Sequence, residues 1–139
     1  MSQFIRSIDN ATLTDYVARQ LNSNFPDGND VSPVALQASV DEAMARLYDC
    51  FREIRKKYYW DGTNTLFNHL NSDHYAMFLY LLSNTVARSG RDEAIASKVF
   101  LLNKALHGLD AFYGVTLPQV FLIVHTVGTV LGNGKYGNY

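Results

Sequence analysis

The stretch Leu101-Leu-Asn-Lys-Ala-Leu-His-Gly-Leu-Asp110 lies where the character of the chain changes. Of the 12 basic and 13 acidic side chains in the sequence, only Asp110 and Lys135 lie beyond Leu109. Glycine moves the other way, since five of the nine glycines lie C-terminal to this stretch. Such a shift predicts two architectures, an N-terminal region over residues 1–109 and a second region over residues 110–139.

The longest predicted helix lies before this boundary. Ser32 is a favourable N-cap, and Pro33 suits the first helical position, so a helix is expected to begin there. The apolar residues that follow are spaced by four, three, four and three, which places them on one helix face up to about Lys57. These residues are Val40, Met44, Leu47, Phe51 and Ile54.

Two further helices are expected on either side of it. Asn10 or Thr12 is the predicted N-cap of the first. Ser72 or Asp73 is the predicted N-cap of the other, which ends at Gly90 because glycine readily adopts the left-handed conformation that closes a helix.

A fourth helix is predicted from about Arg91 to His107. Gly108 follows as its natural C-terminal residue. The side chains expected to face the core are Ile95, Val99, Leu102 and Leu106.

The helical signals end after Leu109. Residues 115–124 are rich in β-branched and aromatic side chains, and Pro118 excludes a helix interior. Leu117, Ile123 and Thr129 recur every six residues, the period of a left-handed parallel β-helix with three six-residue sides per coil. The periodicity alone fits a β-hairpin equally well. The expected fold is mainly α, with a helical N-terminal domain followed by the start of a left-handed parallel β-helix.

Composition excludes several classes of function. Hydrophobic residues make up 47% of the chain, which favours a folded core over disorder. A net charge of −1 argues against nucleic acid as a partner. The single cysteine, Cys50, excludes an internal disulfide and a Cys-rich zinc site and predicts a buried thiol. The longest apolar stretch, residues 120–131, is too short to span a membrane, so a cytoplasmic protein is expected. No bound metal is expected either.

Three stretches carry a resemblance to a known family. They are Phe78-Leu-Tyr-Leu-Leu-Ser-Asn-Thr85, the boundary stretch quoted first, and Val124-His-Thr-Val-Gly-Thr-Val-Leu-Gly132. Together they resemble serine O-acetyltransferases and close hexapeptide-repeat acyltransferases over roughly residues 40 to 139. The resemblance implies a helical domain leading into a left-handed β-helix. It also implies further coils carrying the acyl-CoA groove, so the present chain is expected to be the front part of such an enzyme.

The resemblance also implies site residues. Its catalytic aspartate and histidine are fifteen residues apart at the domain junction, as Asp110 and His125 are here. His125 would be the general base, and Asp110 would orient its ring. Asp73 is a candidate substrate contact. Val124 stands where the family usually carries an acidic residue that engages the amino acid, which leaves the acceptor open.

Two functions therefore remain open. The first is transfer of an acetyl group from the co-substrate acetyl-CoA to the hydroxyl of a small molecule such as L-serine. The resemblance implies that such an enzyme is a homo-oligomer, either a trimer or a dimer of trimers. The second is a catalytically incomplete module for oligomerisation or interaction. In that case His125 is an ordinary histidine on a coil face, Asp110 is a cap or turn residue, and the apolar edge at residues 120–127 is folded back, disordered or paired with another chain. Cys50 is expected to lie away from the site.

Overall fold

Four helices form about half of the part of the chain that the computed structural model describes, residues 1–90 and 92–137. None of these helices is long and apolar enough to cross a membrane. The elements in chain order are β1 (Phe4–Arg6), α1 (Asn10–Asn24), α2 (Pro33–Phe51), β2 (Thr65–Phe67), α3 (Ser72–Ser89), α4 (Glu93–His107), β3 (Leu109–Ala111) and β4 (Thr129–Leu131).

Two helices begin earlier than the sequence predicted. Asp9 caps α1 by accepting a hydrogen bond from the backbone N–H of Thr12 at 2.7 Å. Asn71 caps α3 by accepting from the N–H groups of Asp73 and His74. The predicted caps, one to three residues further along, were wrong because an extended Asx residue immediately before the helix already satisfies these orphan donors.

The end of α2 was also predicted wrongly. The helix ends at Phe51 rather than near Lys57, and the backbone N–H of Ile54 bonds to the carbonyl of Phe51 at 2.9 Å in a tighter turn. This turn brings Tyr59 back under the helices, where its ring packs edge-on against Phe51 with centroids 4.9 Å apart. Burial of an aromatic ring therefore overrides the continuing helical spacing of the sequence.

The C-terminal ends of α3 and α4 agree with the sequence. Gly90 and Gly108 both adopt the left-handed conformation, with φ of 66° and 63°. The α4 helix begins at Glu93, and the start predicted near Arg91 lies outside the described residues. Leu106, which was expected to face the core, is instead 44% exposed.

The α3 helix lies at the centre of the molecule. It packs against α2 on one side and α4 on the other, and every residue from His74 to Val86 is buried. A helix that is apolar almost all round is expected in such a central position. Each fully buried large apolar side chain contributes roughly 1.5–3 kcal/mol to folding. The largest in α3 are Met77, Phe78, Leu79, Tyr80 and Leu82.

The region after α4 contains one parallel strand pair. Residue 109 of β3 pairs with residue 129 of β4, and a separate parallel bridge joins residue 116 to residue 135, so the offsets are 20 and 19 residues. No helix lies between β3 and β4. The prediction of a mainly helical chain is confirmed, and the left-handed β-helix stays a prediction. A second parallel pair, β1 with β2, had no signal in the sequence.

The apolar edge of this region is partly folded back on the helices. Leu117, Phe121 and Ile123 pack against the helical core. Four valines remain exposed, at 40, 45, 85 and 69% respectively: Val120, Val124, Val127 and Val130. One of the three predicted outcomes, folding back, therefore holds for part of the segment only.

Candidate functional site

The turn from α4 into β3 holds the segment that follows the predicted histidine. A Cβ atom on Gly108 would lie 3.3 Å from the Cα of Val127, so a side chain here would press on the backbone as well as strain φ. The N–H of Gly128 donates to the carbonyl of Gly108 at 3.0 Å, and the hydroxyl of Thr126 donates to the carbonyl of His107 at 2.9 Å. Residues 126–128 are thus fixed to the end of α4.

His125 lies immediately before this fixed segment in an unusual backbone conformation. Its φ is +56°, a region that side-chain-bearing residues rarely adopt, although histidine is among the more tolerant. Its backbone N–H donates to the Oδ1 atom of Asp73 at 3.0 Å. His125 as a whole is exposed to solvent. The structure therefore brings together two of the three predicted site residues, through a backbone contact.

The Asp73 carboxylate lies in the first turn of α3 and its charge reaches buried neighbours. Burial, together with the negative charge of Asp73, raises the pKa of Tyr59 to about 12. Burial lowers the pKa of His107, and the same carboxylate opposes that shift. His107 instead shares a 2.7 Å hydrogen bond with the side chain of Asn103. The Asp73 carboxylate therefore accepts a hydrogen bond from the backbone of His125 and also acts electrostatically on the buried rings of Tyr59 and His107.

Asp110 has a different partner. Its Oδ2 atom lies 3.6 Å from the Nζ of Lys104, and both side chains are partly exposed. Within residues 1–90 and 92–137, no hydrogen bond or ion pair joins Asp110 to His125. Asp110 lies on β3 and pairs with Val130 of β4, which comes five residues after His125. The catalytic pairing of Asp110 with His125 stays a prediction.

A buried polar pair beside Asp73 was missed by sequence reasoning. His74 is fully buried, and its Nδ1 accepts a hydrogen bond from the N–H of Asn68 at 3.0 Å, which places the ring proton on Nε2. That Nε2 and the hydroxyl of Tyr59 have no partner among the described residues, and the two rings are 4.4 Å apart. Burial lowers the pKa of His74 to about 4, so this ring is neutral at pH 7. The apolar run that follows His74 was the available signal for its burial.

Cys50 contacts the segment that leads to His125. Its thiol donates to the carbonyl of Phe121 at 3.1 Å, although the sequence placed it away from the site. The prediction of a buried thiol is confirmed. Burial raises the pKa of Cys50, which keeps the sulfur protonated and unreactive. Cys50 therefore has a positioning contact with this segment.

Comparison with known proteins adds no relative. No protein-family model, no curated protein and no solved structure matches the chain. Among the described residues, no group of three or more His, Cys, Asp or Glu side chains is arranged to hold a metal ion. A functional proposal therefore depends on the path of the chain after α4 and on the geometry around His125 and Asp73.

Proposed function

We propose that the chain is an acetyl-CoA-dependent O-acetyltransferase of the hexapeptide-repeat type, with L-serine or another small hydroxyl compound as acceptor. The observation that carries the proposal is the parallel return from β3 to β4 directly after the helical region. Parallel strands need a crossover of a dozen or more residues, usually a helix. Here the crossover has no helix, and its offsets of 20 and 19 residues are close to one coil of three six-residue sides. This supports the start of a left-handed β-helix.

His125 is the proposed general base. The acceptor hydroxyl attacks the thioester carbonyl while the imidazole takes its proton, so a C–O bond forms as the proton leaves. The tetrahedral intermediate then collapses, the C–S bond breaks, and the imidazolium returns the proton to the CoA thiolate. An imidazole suits this exchange because its ordinary pKa lies near neutrality. Asp73 supports the role by holding the backbone N–H of His125 at 3.0 Å, which ties the base to α3.

Asp110 is the proposed orienting carboxylate for the second ring nitrogen of His125. Its present partner, Lys104, lies 3.6 Å away, and both groups are partly exposed. An ion pair of this kind contributes about 0–1 kcal/mol, so exchanging it for an imidazolium costs little. The proposal therefore requires Asp110 to exchange Lys104 for His125 as its side-chain partner.

The test is acetyl transfer by the full chain. Isothermal titration with acetyl-CoA measures binding, and release of the CoA thiol in the presence of L-serine or other hydroxyl compounds measures turnover. We expect heat on binding and thiol release that depends on the acceptor. Absence of heat at millimolar acetyl-CoA would contradict the proposal for this chain.

A second function, an oligomerisation module, is favoured by exposed valines in β4 and just before it. Val127 and Val130 are 85 and 69% exposed, and β4 pairs on one side only among the described residues. A strand with an unpaired edge and exposed apolar side chains favours pairing with a strand from another chain. Light scattering across protein concentrations tests this function, with Val130→Lys expected to lower the oligomer mass. Oligomerisation through this edge, together with no acetyl-CoA binding, would replace the first proposal by the second.

A further inference from the structure

A groove separate from His125 runs between α2, α3 and the segment 113–119. It comprises two adjoining cavities of about 500 and about 380 Å³, which share Arg46, Tyr80, Arg88 and Leu117 in their walls. Arg46 comes from α2 and Arg88 from the last turn of α3. Two cationic side chains from different helices therefore border the same opening.

Arg46 is held in place by neutral acceptors. Its Nη1 donates to the hydroxyl of Thr85 at 2.7 Å and lies 3.4 Å from the carbonyl oxygen of Leu81. A guanidinium has five N–H donors, so most of them remain available to a ligand. Arg88 is exposed and forms no hydrogen bond or ion pair among the described residues. The pair thus combines one anchored cation with one adjustable cation.

The two guanidinium groups repel each other. Burial lowers the pKa of Arg46, and the positive charge of Arg88 lowers it further. In the described ranges, neither group lies within 4.0 Å of a carboxylate oxygen. Lys98 shows the usual arrangement for a buried cation here, since its Nζ lies 2.9 Å from Asp27. The carboxylate of Glu42 opposes this lowering without forming an ion pair, and an anion between the arginines would add the direct opposite charge that they lack.

The two cavities differ in acidity. The smaller one includes Glu42 and Asp49 in its wall, whereas the larger one has no carboxylate in its wall. The larger cavity instead presents Thr116, an exposed residue, and Asn84. The Nδ2 of Asn84 already bonds to the carbonyls of residues 113 and 115, so Asn84 shapes this wall. An anion is therefore favoured at the larger cavity.

We infer that the larger cavity binds a phosphate-class oxyanion between Arg46 and Arg88. The planar donor fork of arginine matches the oxygen spacing of a phosphoryl group, and hydrogen bonds between charged groups are about twice as strong as neutral ones. The volume of about 500 Å³ exceeds that of a free phosphate ion, so the cavity also accommodates a molecule that carries the phosphoryl group. The inference does not rest on the acetyltransferase proposal.

Titration with inorganic phosphate at constant ionic strength tests this site, followed through the side-chain Nε–Hε NMR signals of Arg46 and Arg88. We expect saturable shifts of both signals. Arg88→Gln is expected to weaken binding about tenfold, the equivalent of about 1.4 kcal/mol for one lost charged hydrogen bond. Arg19→Gln is the matched control, because Arg19 pairs with Asp15 on the surface of α1 and should leave phosphate binding unchanged. Unshifted arginine signals, or equal affinity in Arg88→Gln, would overturn the inference.

Two further arms sharpen the result. Glu42→Gln removes a carboxylate near Arg46 and should tighten phosphate binding; weaker binding would contradict the site. Coenzyme A and its 3′-dephospho form differ by one phosphoryl group. If the Arg88 signal shifts with coenzyme A and not with the 3′-dephospho form, the site binds a phosphoryl group carried on a larger molecule. If the signal shifts with inorganic phosphate and with neither coenzyme, the site binds the free ion. Acetyl transfer that persists without any phosphate response would overturn this site and leave the proposed function intact.

Discussion

The helical region over residues 10–107 and the segment over residues 109–137 are stabilised in different ways. The helices bury a continuous apolar core around α3, and side chains cap their N-terminal ends. The segment has one pair of three-residue strands, buries Leu109 and Val115 in the same core, and is also held by polar contacts from the helices. The hydroxyl of Tyr80 and the amide of Asn84 both donate to the carbonyl of Val115, and Cys50 donates to Phe121. The helical region therefore positions a segment that packs onto its core and forms no separate core among the described residues.

The largest expected effect comes from removing core volume in the helical region. Phe78→Ala should lower the free energy of unfolding by about 3–5 kcal/mol, because Phe78 is fully buried in α3 and a cavity would remain. Urea denaturation measures this loss. Val127→Ala is the matched change in the other region and should alter stability by less than about 0.5 kcal/mol, since Val127 is largely exposed. Similar losses in the two variants would refute the contrast between the regions.

Acid should destabilise the helical region through its buried histidines. The pKa of His74 is lowered from 6.5 to about 4 in the fold, so the unfolded chain binds the proton first. The free energy of unfolding should therefore fall as pH drops from about 6.5 to 4, by about 2–3 kcal/mol from His74. Burial of His107 acts in the same direction.

Urea midpoints at several pH values measure this dependence. His74→Asn keeps an acceptor for the N–H of Asn68 and removes the titrating ring, so the slope between pH 6.5 and 4 should become shallower. The absolute stability of the variant does not enter this comparison. An unchanged slope would contradict the assignment to His74.

A smaller effect is expected from cutting a tie between the regions. Asn84→Ala removes donors to the carbonyls of Tyr113 and Val115, and should cost about 1 kcal/mol because the part-buried carbonyl of Tyr113 loses its side-chain donor while Val115 keeps the Tyr80 hydroxyl. Amide hydrogen exchange should accelerate around Val115 and remain slow in the centre of α3. Tyr80→Phe, which removes one hydroxyl, should show a weaker version of the same pattern. Uniform acceleration over both regions would indicate that the segment is not separately held.

The smallest effect is expected at the surface ion pair near β3. Lys104→Met should change the free energy of unfolding by less than about 0.5 kcal/mol, since both Lys104 and Asp110 are partly exposed. Thermal or urea denaturation of both single variants, Lys104→Met and Asp110→Asn, and of the double variant gives the coupling energy of the pair. A coupling energy above about 1 kcal/mol would mean that Asp110 is firmly held by Lys104 and unsuited to exchange partners.

The contrast between the regions also explains what the sequence could predict. Apolar spacing and the glycines Gly90 and Gly108 identified α3 and α4 because helix periodicity and left-handed ends are local properties. The end of α2 was predicted wrongly because burial of Tyr59 depends on the His74 ring of α3 as well as on the nearby Phe51. The parallel pair β1 and β2 joins residues some sixty positions apart, and neither strand has a local pattern long enough to predict it.

The candidate site shows the same division. The fifteen-residue spacing between Asp110 and His125 is part of the resemblance, but sequence spacing does not determine which side-chain or backbone atoms are in contact. The contact between the N–H of His125 and Asp73 depends on a left-handed backbone and on the start of α3. The arginine pair Arg46 and Arg88 is similarly invisible in sequence, because its members come from two helices that pack together.

The rate of acetyl transfer by His125→Asn shows whether the imidazole of His125 is the general base. Asparagine tolerates the left-handed backbone of residue 125 but cannot accept a proton from an alcohol. We expect CoA release from acetyl-CoA in the presence of the acceptor to fall at least about 100-fold, with an unchanged melting temperature. His69→Asn, which changes a histidine bonded to Ser7, should retain the wild-type rate. A His125→Asn rate within a few-fold of wild type would contradict the assignment of His125 as the base.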